Sequence, residues 1–141
     1  MNIFQETLFS FANPYPNATN PLQPYIHQTL LDPTQEFLFA ADLTADIIHV
    51  FSITSSNVLQ KPSTQPDIIV PTGHGPRHGV FYQPGNGSNA TYVYFVMETA
   101  NMVHGYEVTY NSDTTLNFTM IQDFQLPVPQ NATAAEIKLT V

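Results

Sequence analysis

HQTLLDP at residues 27–33 lies over HGVFYQP at residues 78–84, each opening on histidine and reaching proline six residues later. Further along, DIIHVFSI (46–53) lies over NMVHGYEV (101–108), matching polar, apolar, apolar, His, then Phe51 with Tyr106 and Ile53 with Val108. The chain therefore carries one unit twice. The offset grows from 51 residues at the first anchor to 55 at the second. The segment GNGSNA (85–90) absorbs the difference, because its Gly and Asn residues suit a surface turn that tolerates insertion.

A repeat of about 50 residues belongs either to a β-propeller blade or to a helical solenoid, and the residues between the anchors decide which. FLFAAD (37–42), IIHVFSI (47–53), TYVYFVM (91–97) and MVHGYEV (102–108) are short, rich in Phe, Tyr, Ile and Val, and bounded by turn formers such as Asp32-Pro33-Thr34. No stretch holds a 3.6-residue period between helix caps. Ile47, Ile48, Val50 and Phe51 run almost continuously apolar, so both faces of such a strand must be covered, as between neighbouring blades. The expected fold is all-β: about two four-stranded antiparallel blades of a seven-bladed propeller, plus the first strand of a third. The divisions are a segment over 1–26, repeats over 27–76 and 77–133, and a truncated third over 134–141. Each repeat supplies a strand after His27 or His78, one ending near Asp42 or Glu98, one through His49 or His104, and an outer strand over 67–70 or 116–124. Two and a fraction blades leave apolar faces and strand edges that the remaining blades must cover.

Composition narrows the function. The chain has 141 residues, 43% of them hydrophobic, enough for a buried core. Lys61, Arg77 and Lys138 face eleven Asp and Glu, and the net charge of −8 would repel a phosphate backbone, which excludes nucleic acid as a partner. The absence of cysteine removes disulfides, thiolate nucleophiles and Cys-based zinc sites. No apolar run reaches the 18 or more residues of a membrane span, and the first residues do not form a signal peptide. Five sequons, at Asn17, Asn86, Asn89, Asn117 and Asn131, exceed the roughly two that chance would produce from eleven Asn. They point to glycosylation of a parent protein in the secretory pathway, a cytoplasmic location being the alternative.

The blocks P-x-x-HQ (24–28), D-P-T-x-x-FLF-x-AD (32–42), G-x-GPRH (73–78) and AAEI (134–137) stand here in an order and spacing that resemble the lactonase family of seven-bladed β-propellers. Members of that family open sugar lactones or cyclise muconates. The resemblance runs from about residue 27 to 135, and the first twenty residues match nothing in it. It implies an enzyme that acts on a small anionic substrate, a carboxylate or a lactone, without a cofactor. In the muconate-cyclising members a His of the HQ block, an Arg of the GPRH block, a Glu one strand later and a further Arg form the site. The first three carry over onto His27, Arg77 and Glu98; the last would follow the AAEI block. Met97 stands where the family usually has Asn.

The residues fit such chemistry on their own terms. Arg77, the only arginine, sits in a Gly- and Pro-rich segment that can aim a planar guanidinium at an anion; a surface ion pair is the alternative. Glu98 follows the apolar run VYFVM, the kind of half-dry setting in which carboxylates transfer protons. His27 and His78 open equivalent strands, so one can be an acid-base group and the other a substrate-binding or structural residue. His49 and His104 recur in the third strand and read as blade packing. His74 and His78 lie four apart on a junction where that spacing gives no common face, so no metal site is expected. The competing class is a non-catalytic secreted propeller that binds a ligand or protein.

Overall fold

The computed structural model describes residues 24–85 and 89–140. Among them every regular element is a strand. The first sheet contains β1 (Ile26–Leu31), β2 (Phe37–Asp42), β3 (Ile47–Ile53), β4 (Leu59–Gln60) and β5 (Ile68–Ile69). The second contains β6 (Pro76–Tyr82), β7 (Thr91–Met97), β8 (Met102–Tyr110) and β9 (Leu116–Gln125), paired in that order. All pairings are antiparallel. The repeat read from the anchors is thus a repeat of sheets.

Two details differ from the sequence expectation. The outer position of the first sheet is shared by two short strands, β4 beside Ser52–Ile53 and β5 beside Ile47–Ile48. Pro62 and Pro66 lie between them, and a residue without an N–H cannot continue a ladder. Residues 134–140, expected to open a third repeat, pair with no strand among the described residues. They are held by the side chains of Arg77 and Asn101 instead.

Burial explains the continuous apolar runs. β2 and β7 are buried along nearly their whole length, whereas β9 is exposed on most of its residues beyond Leu116. Phe39 of β2, 1% exposed, meets Phe81 edge-on at 5.1 Å and Phe118 at 5.8 Å, so one ring stitches the first sheet to both rims of the second. Polar side chains cross the same seam. Buried Asp32 accepts from the backbone N–H of Phe37 and Glu36 at 2.8 and 3.0 Å, closing its own turn, and from the Tyr110 hydroxyl at 2.9 Å in the other sheet. Gln65 accepts from the Leu116 N–H at 2.8 Å. Each satisfied bond contributes about 0.5–1.5 kcal/mol net, but losing one partner strands a buried group at greater cost.

Candidate active site

The two repeats use one device to aim side chains at the seam. β1 shifts register between Ile26 and Gln28, and β6 between Pro76 and Gly79, each placing one extra residue on the innermost strand. A β-bulge breaks the alternation that would send neighbouring side chains to opposite faces. His27 lies in the first bulge, Arg77 and His78 in the second. Their equivalence becomes contact: His27 Nδ1 is 3.1 Å from His78 Nε2, with ring centroids 4.9 Å apart and nearly perpendicular. Beside them the Gln28 amide oxygen accepts from the Gly79 N–H at 2.6 Å. Gly79 is required there, because a Cβ would stand 2.5 Å from the Phe95 ring.

A second repeated device holds the segments that lead into those bulges. Asp46 and Asn101 occupy equivalent turns and share a left-handed backbone, φ 57° and 56°, which Asp and Asn tolerate better than other non-glycine residues. Each backbone carbonyl takes an N–H from the chain leaving its own sheet, Val70 at 3.0 Å and Leu126 at 2.8 Å. Each side chain then grips the segment beyond. Asp46 accepts from the N–H groups of Gly73 and Gly75 at 2.7 and 2.8 Å. Asn101 accepts from Ala134 N–H at 2.7 Å and donates to the Ala132 carbonyl at 3.3 Å. The first grip delivers Arg77 and His78; the second delivers Ala135 and Glu136 to the same place.

Four residues expected at a site therefore stand together. Arg77 Nε lies 2.8 Å from Glu98 Oε2, both side chains about three-quarters buried, and Arg77 Nη1 donates to the carbonyl of Ala135. Nη2 has no protein partner among the described residues. The Glu98 backbone is fixed by its N–H on the Gly75 carbonyl at 2.9 Å, and the Thr133 hydroxyl donates to its other carboxylate oxygen at 3.4 Å. Burial holds His27 below the usual histidine range, reinforced by the charges of Arg77 and His78 and opposed by Glu98. The shift favours the neutral imidazole of His27, the form that can accept a proton.

The sequence reading did not single out Gln28, Asp46, Asn101 or Glu136. The equivalence of Asp46 and Asn101 in the aligned repeats was a usable signal for the turn clamps; Glu136 Oε2, 3.1 Å from His78 Nδ1, had none, because its neighbour is 58 residues away. His74 pairs with His104 at 3.2 Å, and burial lowers the pKa of His104. His49 lies between Asp67 at 3.3 Å and Asp42 at 3.8 Å; burial opposes its charge, but those two carboxylates outweigh it and raise its pKa. Among the described residues no three His, Asp or Glu side chains are arranged to hold a metal. A cleft of ≈ 550 Å³ lies elsewhere, between β5 and β9, and is lined by Ile69, Phe118 and Asn117.

Consecutive antiparallel sheets packed face to face, with equivalent inner-strand residues meeting at the seam, define neighbouring blades of a β-propeller. The chain belongs to the lactonase family of seven-bladed β-propellers: the family model described as "Lactonase, 7-bladed beta-propeller" matches residues 4–141, extending the resemblance nearly to the start of the sequence. It is 36% identical over 118 residues to a protein named "Probable 6-phosphogluconolactonase" of Arthroderma benhamiae, covering 83% of this chain and 28% of that one. It is 31% identical over 88 residues to the 6-phosphogluconolactonase of Yersinia enterocolitica, covering 62% and 25%. Its fold matches the periplasmic gluconolactonase of Pseudomonas aeruginosa with a TM-score of 0.61 and 24% identity, over 77% of this chain and 28% of that one. The chain spans about a quarter of the length of the curated relatives it matches.

Proposed function

We propose that this chain supplies part of the active site of a lactone-opening enzyme that acts on a small anionic sugar lactone. What carries the reading is the Arg77–Glu98 pair at 2.8 Å, set beside the His27–His78 contact at the seam of two blades. Arg77 has donors to spare for a carboxylate or phosphate, with Glu98 holding its guanidinium in one plane. Hydrolysis joins a water oxygen to the lactone carbonyl carbon and breaks the ring carbon–oxygen bond. His27 and Glu98 exchange the water's proton and the proton taken up by the ring oxygen, and His78 helps bind the substrate. The names of the relatives favour lactone opening over muconate cyclisation, which would use the same anion clamp and acid-base pair.

Turnover of a gluconolactone, its 6-phosphate and a carboxymuconate by the propeller containing this segment separates the two reactions. Glu98→Gln should lower turnover about a hundredfold or more. Undiminished turnover, or inactivity of the folded protein toward all three, would defeat the reading in favour of a ligand-binding propeller. Among the sequons, Asn89, Asn117 and Asn131 are exposed, as a glycoprotein of the secretory pathway requires, while Asn17 and Asn86 lie outside the described residues. Treatment with an N-glycosidase should increase the mobility of protein from its native source; unchanged mobility would favour the cytoplasm.

A further inference from the structure

Three groups from three successive segments of the chain form a line: Glu136 Oε2 is 3.1 Å from His78 Nδ1, and His78 Nε2 is 3.1 Å from His27 Nδ1. The connection runs through the His78 ring, entering at one nitrogen and leaving at the other. His104 provides the contrast. Its Nε2 meets both His74 and Asp123, at 3.2 and 3.4 Å, while its Nδ1 faces the Tyr106 hydroxyl at 3.3 Å, so nothing passes from carboxylate to the second histidine through that ring. Nδ1 of His78 is buried without an aligned hydrogen-bond partner, and the carboxylate at 3.1 Å is the acceptor offered to it. The Glu136 side chain is half-exposed.

We infer that Glu136 is a positioning residue that acts through His78 to set which nitrogen of His27 is basic. A carboxylate can only accept, so it selects the Nδ1–H form of neutral His78. His78 Nε2 is then bare and accepts from His27 Nδ1–H, which leaves His27 Nε2 as the bare nitrogen. The groups acting on His27 are Arg77, His78 and Glu98, with the Tyr25 ring edge-on at 5.6 Å. Without the carboxylate, His78 is free to protonate Nε2, the donor and acceptor in the histidine pair exchange, and the basic nitrogen of His27 becomes Nδ1, occupied by its neighbour. This inference rests on the lactone-opening reading only for its consequence in turnover; the tautomers are a property of the protein alone.

Long-range proton–nitrogen correlation spectra of the propeller containing this segment, labelled with ¹⁵N-histidine and recorded at pH 8, read the tautomers directly. His27 and His78 should both show Nδ1–H. Glu136→Ala should abolish that signature at both rings, whereas Glu136→Gln, whose amide oxygen can still accept, should retain it; a merely structural role for this half-exposed side chain would not separate the two variants. An Nε2–H His27 in the unmodified protein, or a His27 tautomer indifferent to Glu136→Ala, would overturn the inference. If those spectra come out as expected while Glu98→Gln leaves turnover intact, the lactone-opening reading fails and the relay stands. The opposite pair of results removes the relay alone.

Discussion

Replacing Asp46 by alanine should cost stability out of proportion to the size of the side chain. Asp46 is 5% exposed, and its two carboxylate oxygens take N–H bonds from Gly73 at 2.7 Å and Gly75 at 2.8 Å. Gly73 is exposed, so its N–H recovers water and that loss is small. Gly75 is buried, and its N–H loses a bond to a charged acceptor worth about 1.5–3 kcal/mol. The left-handed backbone at φ 57° adds about 1–2 kcal/mol when alanine must adopt it. The sum is about 2.5–5 kcal/mol. Asp46→Asn keeps the backbone tolerance and one acceptor, and should lose about half as much. Urea unfolding of both variants followed by circular dichroism measures the difference. A loss below about 1 kcal/mol for Asp46→Ala, or equal losses for the two variants, would refute the argument that this turn is both a clamp and a strained conformation.

Other perturbations test neighbouring steps. Gly79→Ala puts a Cβ 2.5 Å from the ring of Phe95, itself 1% exposed, and should destabilise by about 1–3 kcal/mol; a variant that melts like the parent would contradict the packing described. Phe39→Ala should cost about 3–5 kcal/mol, and a double-mutant cycle with Phe81→Ala should show coupling between the sheets, because the two rings meet at 5.1 Å. His49 has a raised pKa, so its stabilisation is complete below pH 6.5 and is lost as pH rises through its folded value. Asp42 and Asp67 have lowered values: burial works against them, but hydrogen bonds from His49 prevail, so their contribution is present above pH 3.8 and lost as pH falls through their folded values. The stability deficit of His49→Gln should therefore be largest between these limits, about 1–3 kcal/mol, and shrink above pH 6.5; a deficit that grows with pH would reverse the sign.

The fold was legible because propeller blades repeat, and repetition turns one sequence into two readings of the same structure. His27 over His78 and Asp46 over Asn101 each located a turn or strand twice, so chance agreement at one position was checked at another. Strand identity followed from apolar runs with both faces covered. The outer edge was less legible: β4, β5 and the region after Val128 depend on where prolines interrupt a ladder and on which neighbour lies alongside. Of the site, the resemblance named His27, Arg77 and Glu98, and the repeat named His78. What neither could supply was the pair of bulges, because a bulge is a mismatch between two strands and no property of either strand alone.

Equivalent residues of neighbouring blades need not meet. In a regular inner strand, the side chains at Arg77 and His78 would alternate and point to opposite faces of the sheet. The bulge brings Arg77 to Glu98 and His78 to His27, and it is kept in place by Asp46 holding Gly73 and Gly75 ahead of it and by Gln28 holding Gly79 behind it. The same seam that binds one blade to the next thus sets the distance between His27 and His78. Stability at the seam and geometry at the site are linked through these few bonds, so a change such as Gln28→Ala, remote from Arg77 in sequence, should loosen the histidine pair as well as the blades.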